Sequence, residues 1–286
     1  MNFTIKKSEK SNQKIKIALK GVSGGGKSLS SLLLAKGLCG GDLSRCCVID
    51  TENSIELYSH IGNFSVLSLS QPFSPENYQK AITACEDAGF ELIIIDSISH
   101  CWNYLLQLHG SLAGSSFQNW GKITPLHNAF VQKILDSKCH IICTIRSKQD
   151  YLIQTQGNKT TIEKVGLKMI QRNGIEYEFV TVLDIDMNHK AKAEKDKTGL
   201  FADKERFTIT EGTGKQVLSW CNNEIRVDDI KNEISKTTTI DQLTDIYKLY
   251  PTMYNLLSQD FEQQKGIILN NPNSISNGSN THLAAS

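Results

Sequence analysis

The sequence predicts an α/β fold built on a mainly parallel sheet, and three observations carry that expectation. Short apolar runs alternate along the chain with segments of helical period, the order that builds a parallel sheet covered by helices. The run Leu92-Ile93-Ile94-Ile95-Asp96 stays apolar until its final carboxylate, as suits a strand buried on both faces. Between a strand-like and a helix-like segment lies a glycine-rich turn, Gly21 to Ser28.

Taken in order, Lys14 to Lys20 alternates Lys with Ile15, Ile17 and Leu19 and ends on Gly21, which reads as a strand entering a glycine turn. The segment from Leu29 to Lys36 reads as a helix closed by Gly37 or the Gly40-Gly41 pair. Cys46 to Asp50 is a short buried strand, and Phe64 to Leu69 is expected to be another. Ser74 caps a helix with Pro75 at its first position, running to about Ala88-Gly89. Residues 97 to 122 are rich in Ser, Gly, His and Trp without clear period, so they are expected to form a long loop with one helix. A helix from about Ile123 to Lys138 and a strand from His140 to Ile145 continue the alternation.

Beyond this, Gln149 to Gly174 is polar, Tyr177 to Asp186 alternates like an edge strand, and Lys197 to Thr210 is expected to add an antiparallel edge hairpin. Residues 225 to 268 read as charged helices, with Ile240, Leu243, Ile246, Tyr247 and Tyr250 at helical spacing. The Asn-, Ser- and Gly-rich end reads as disordered. The expected division is a core over 1–222, a small helical C-terminal extension over 223–269, and a tail over 270–286.

Composition narrows the function classes. Lys and Arg total 31 against 30 Asp and Glu, a net charge of +1. No global field announces nucleic acid, so such binding would need a local patch. The first residues lack the apolar run of a signal peptide, and no segment approaches the roughly 18 apolar residues of a membrane span; a cytoplasmic protein with no membrane partner is expected. The eight cysteines form no CxxC pair, which argues against a zinc or redox motif and for buried, reduced thiols.

The sharpest signal is Gly21-Val22-Ser23-Gly24-Gly25-Gly26-Lys27-Ser28, which satisfies GxxxxGK[ST] at every fixed position. Its context, a strand before and a helix after, is the one the motif requires. Glycines let the backbone curl with its N–H groups inward, and the helix beginning near Lys27 adds its positive dipole end. The expected ligands are ATP, with Leu29 just beyond the loop also in reach, and Mg2+. Lys27 would reach the β and γ phosphates, and the Ser28 hydroxyl is a hard oxygen ligand for the cation. Asp96, ending its apolar strand, stands where a second magnesium-holding group belongs.

Val48-Ile49-Asp50-Thr51-Glu52 with Tyr58, Ile95-Asp96-Ser97-Ile98-Ser99-His100-Cys101-Trp102, Thr144-Ile145-Arg146-Ser147-Lys148, Val165-Gly166-Leu167, Gln171 to Phe179, and Lys195-Asp196-Lys197 appear in that order. Over roughly residues 14 to 205 the chain resembles phage and prophage AAA-type, RecA-like P-loop ATPases. The resemblance implies a RecA-like core acting with DNA in phage-type recombination or replication, as a homo-oligomer, with a phage recombination or replication protein as a further partner. It implies that Glu52 polarises the attacking water, which is physically reasonable for a carboxylate beside the γ-phosphate; a surface loop residue is the alternative. It implies that Tyr58 stacks on adenine, with packing as the alternative. Lys195 and Lys197 would reach across to a neighbour's γ-phosphate, or belong to a solvated charged hairpin. Thr144 departs from the pattern, because RecA has a phosphate-sensing amide there. Arg146 or Lys148 would contact phosphate instead, bind nucleic acid, or simply be solvated.

The stretches 97–122 and 147–174 occupy the positions of RecA's DNA-binding loops. In or beside them stand Trp102, Tyr104, His109, Phe117 and Trp120, then Arg146, Lys148, Tyr151, Lys159, Lys164, Lys168 and Arg172. Aromatic and basic residues together suit single-stranded DNA, although the tryptophans also suit a core. Two other functions compete: a P-loop kinase of a small molecule, disfavoured because the few Arg are scattered rather than gathered in a lid, and an ATP-gated interaction module using the C-terminal helices.

Overall fold

The computed structural model describes residues 14–156, 159–222, 227–250 and 254–270. The chain divides into two compact units, residues 1–223 and 224–286. In the first unit the strands are β1 (Lys16–Gly21), β2 (Cys46–Asp50), β3 (Ser65–Ser68), β4 (Leu92–Asp96), β5 (His140–Gln156), β6 (Lys159–Met169), β7 (Thr181–Ile185) and β8 (Ala191–Asp196). Its helices are α1 (Lys27–Leu38), α2 (Pro75–Asp87), α3 (Ser99–Ser111), α4 (Ser116–Asp136) and α5 (Glu211–Cys221).

The sheet order is β3-β2-β4-β5-β1-β7-β8, with β6 pairing the outer part of β5. All pairs from β3 to β7 are parallel, while β5/β6 and β7/β8 are antiparallel. This is the mixed α/β, mainly parallel architecture of a P-loop NTPase core. The carboxyl ends of β1, β2, β4 and β7 and residue 146 of β5 therefore emerge on one side, where open α/β sheets bind ligands.

Every residue of β1, β2 and β4 is buried, the consequence of helices on both faces. One face packs Ile49, Ile93, Ile95 and Ile141 against Tyr78, Ile82, Phe130 and Ile134 from α2 and α4. On α1, Gly37 meets Gly214 of α5 so closely that a Cβ on Gly37 would lie 2.6 Å from Gly214 Cα, and one on Gly214 would lie 2.7 Å from Gly37 Cα. Only glycine permits that crossing. Ser74 caps α2 as expected, its Oγ accepting from Asn77 N at 3.3 Å.

Four expectations need correction. Residues 97–122 are mostly helical, in α3 and the first turns of α4, not a long loop. Cys101 and Leu105 are buried while Trp102, Tyr104 and Leu108 pack partly against the core, so tertiary burial overrides the weak helical propensity of the Ser, Gly and His around them. The polar stretch after Gln149 largely forms the β5–β6 hairpin. Tyr177 to Asp186 contributes β7, which is no edge: it pairs with β1 on one side and β8 on the other. The antiparallel edge hairpin is thus β7–β8 rather than residues 197–210, of which Phe207 only bridges to Ala191. The inward residues of β8 include Ala191 and Ala193, and small Ala gives a weak strand signal.

The second unit contains α6 (Val227–Lys236), α7 (Ile240–Leu249) and α8 (Tyr254–Leu269), around Ile230, Ile234, Leu243, Leu257, Phe261 and Ile268. Thr239 caps α7, accepting from Gln242 N at 3.3 Å. The expected tail, beyond residue 270, lies outside the described residues. No helix among the described residues is long and apolar enough to cross a membrane. All eight cysteines are buried and unbridged.

Candidate nucleotide site

The turn from Val22 to Gly26 links β1 to α1 at the carboxyl edge of the sheet. Gly24 and Gly26 take φ values of 80° and 86°, a left-handed conformation that a Cβ would strain. Gly25 N donates to Val22 O at 3.2 Å and Ser30 N to Gly26 O at 2.9 Å. His189, in the β7–β8 turn, buttresses the loop, with Nδ1 3.0 Å from Gly25 O. Lys27 folds back over the loop and donates to Val22 O at 2.8 Å. Burial lowers its pKa, and the nearby charges of Asp96 and Glu52 counter that only in part.

Asp96 is 1% exposed. The Thr144 hydroxyl donates to its Oδ1, while Oδ2 is buried with no hydrogen-bond partner among the described residues. Burial raises the carboxyl pKa against the pull of the neighbouring Ser28 and Thr144 hydroxyls. An orphaned carboxylate oxygen beside a hydroxyl is a set of hard oxygen donors that fits Mg2+, an ion that takes one or two protein oxygens and completes its shell with phosphates and water.

Glu52 reaches the same cleft because Asp50 organises the loop beneath it. The Asp50 carboxylate accepts from Glu52 N at 2.8 Å, Asn53 N and Ser54 N at 3.0 Å, and Ile55 N at 3.1 Å. The loop is tied to β4 by Thr51, whose Oγ1 donates to Asp96 O at 3.0 Å and accepts from Ser97 N at 2.9 Å. Glu52 Oε1 lies 2.7 Å from Arg146 Nε. Burial alone would raise the Glu52 pKa, but the Arg146 hydrogen bond and charge outweigh it and hold the carboxyl below its ordinary value.

A cleft of about 300 Å3 brings together Ser23, Gly24, Gly26, Lys27, Ser28, Leu29, Glu52, Tyr58 and Asp96 from the sequence expectations. Gly21, Val22 and Gly25 form its backing rather than its wall. Leu29, Leu33, Tyr58 and Ile209 supply apolar lining, which suits a base. The structure adds Arg146, His189, Thr208 and Ile209 to the wall. Of these, only Arg146 carried a sequence signal, by its place at a strand end.

A family pattern described as AAA domain matches residues 13–224. The chain belongs to the AAA domain family. This AAA domain is an ATP-binding P-loop ATPase domain, and the match spans the whole first unit as far as its sheet, loop and cleft are described. No curated protein matches the chain.

Lys195 and Lys197 of this AAA domain do not enter the cleft. Because β8 runs antiparallel to β7, Lys195 lies opposite Val182, toward the end of β7 far from the loop. Lys195 Nζ donates to Glu176 O at 3.0 Å and to Tyr177 O at 2.5 Å. Lys148 is also separated from the cleft. It lines a groove of about 560 Å3 with Trp102, Trp120, Lys168 and Arg172. The rings of His109 and Trp120 stack at 4.3 Å and those of Trp120 and Trp102 at 5.9 Å. Phe117 is 88% exposed. The side chains of Tyr151, Lys159 and Lys164 lie outside the described residues.

Proposed function

We propose that this AAA domain hydrolyses ATP with Mg2+ and ties turnover to single-stranded DNA. The observation that carries the hydrolytic reading is the unpartnered Asp96 Oδ2, buried beside Ser28 in a cleft that also holds Lys27 and Glu52. Ser28 and Asp96 would hold the ion, which would neutralise charge on the β and γ phosphates. The turn's N–H groups hold the phosphates, and Lys27 exchanges the Val22 carbonyl for a phosphate oxygen. Glu52 orients a water and takes its proton as the water oxygen bonds to the γ-phosphorus and the bridging oxygen leaves with ADP. Tyr58 packs on the adenine, with Leu29 beneath.

The DNA reading is supported by the groove at the base of the β5–β6 hairpin, where stacked rings lie beside Lys148, Lys168 and Arg172. Rings and cations together suit bases and phosphates of a single strand. The resemblance to phage and prophage ATPases supports a place in recombination or replication. Copies of the chain would assemble so that Lys195 and Lys197 of one meet the cleft of another, since neither lies in its own.

Phosphate release measured with and without single-stranded DNA tests the reading. Release that rises with DNA is the expected result. Binding without turnover would make the chain an ATP-gated interaction module, and transfer of phosphate to an added small molecule instead of water would make it a kinase.

A further inference from the structure

Besides Lys27, the permanently charged cation lining the cleft among the described residues is Arg146. Its backbone is fixed: Arg146 N donates to Ser99 Oγ at 2.9 Å and Arg146 O accepts from Ile170 N at 2.7 Å. The guanidinium is therefore the part free to pivot. It spends Nε on Glu52 Oε1, and among the described residues Nη1 and Nη2 carry no hydrogen bond. Thr144, the other polar β5 side chain at the cleft edge, commits its hydroxyl to Asp96.

The ion pair ties up one of the two Glu52 carboxylate oxygens and sets a positive charge against the group that would take a water's proton. It is also a weak lock, since the two side chains are 37% and 23% exposed and half-exposed pairs are screened by solvent. A γ-phosphate offers more negative charge and a geometry that the guanidinium fork matches with two donors. We propose that Arg146 reads the γ-phosphate within its own subunit, and that until a triphosphate draws it away it holds Glu52 inactive. The proposal rests on the ATPase reading of the cleft. It makes Arg146 a positioning residue for Glu52 as well as a contact to substrate.

Competition binding with ATPγS and ADP tests it on wild type, Arg146→Ala, Arg146→Lys, Glu52→Gln and the Ala/Gln double variant. Arg146→Ala should weaken ATPγS by about tenfold or more, the worth of a charge-assisted hydrogen bond, and leave ADP within about twofold. Arg146→Lys should restore part of the triphosphate preference. Glu52→Gln removes the charge that holds the guanidinium, so it should tighten ATPγS by roughly two- to fivefold, the strength of an exposed pair, and this gain should vanish in the double variant. An Arg146→Ala chain with unchanged ATPγS-to-ADP preference overturns the proposal. So does a Glu52→Gln gain of equal size in both backgrounds, which would be simple relief of like charge. If Arg146→Ala fails to fold by thermal melt, Arg146→Lys and Arg146→Gln carry the same comparison. A wild-type chain that binds neither nucleotide overturns the ATPase reading itself, whereas selective ATPγS binding lost in Lys27→Ala but untouched at Arg146 overturns only the Arg146 assignment.

Discussion

The Thr144 hydroxyl donates to Oδ1 of Asp96, which leaves Oδ2 as the buried carboxylate oxygen without a hydrogen-bond partner among the described residues. Two residues further along β5, Arg146 grips Glu52. One strand thus holds both acidic groups of the candidate site, each from a side chain of the same periodicity.

Thr144→Val keeps shape and removes the donor. The Mg2+ concentration for half-maximal turnover should rise about tenfold, as when an outer hydrogen bond to a metal-holding carboxylate is lost. A magnesium titration of ATPase activity checks it, and an unchanged midpoint would show that Asp96 needs no such orientation.

Lys27→Ala should abolish measurable hydrolysis and weaken nucleotide binding, because the phosphates lose the cation now parked on Val22 O at 2.8 Å. Normal turnover in this variant would rule out the cleft as the catalytic site.

Glu52→Gln should retain nucleotide binding but slow hydrolysis by ~10²-fold or more, since positioning survives and the proton acceptor is lost. The wild-type carboxyl is held below its ordinary value, so it stays ionised at neutral pH. Activity should be lost only as acid protonates it, and kcat/KM measured against pH should show that low-lying limb.

Exchange of both Lys195 and Lys197 for Ala should remove turnover while each chain still folds and binds nucleotide. Mixing that variant with Glu52→Gln should restore part of the activity, because some interfaces then join an intact Glu52 cleft to an intact lysine pair. A mixture that co-assembles yet stays inactive would mean that Lys195 serves only its contacts to the Glu176 and Tyr177 carbonyls and that Lys197 is a solvated charge of the hairpin.

His140 is 6% exposed and its Nδ1 accepts from Ile15 N at 3.2 Å. Burial first, then Lys14, Lys16 and Arg45, push its pKa down to about 3 from 6.5. Between those values the unfolded chain binds the proton and the folded one does not, so stability falls as pH drops through that window. Denaturant melts at pH 7 and pH 5 should show this loss, and His140→Asn, which keeps an acceptor without the titration, should lessen it.

The sheet and its nucleotide loop were legible in the sequence because their signals are local. Unbroken apolar strands such as Leu92 to Ile95 say that both faces are covered, and the glycines before Lys27 state a backbone curl that few other sequences permit. Asp96 and Glu52 were legible as candidates for the same reason, each standing at or just beyond a strand end. Tertiary structure alone decided the rest. Nothing near Glu52 in sequence announces Arg146, which lies 94 positions away and arrives only because β2, β4 and β5 end side by side. His189 meets Gly25 across 164 positions for the same reason, through the pairing of β7 with β1. Residues 97–122 became helices because Cys101 and Leu105 find a core to enter, a gain that no local propensity records. Pairing, burial and the partner of each charge are properties of what folding brings near, and a linear sequence carries them only through the short-range periodicities that place its strands and helices.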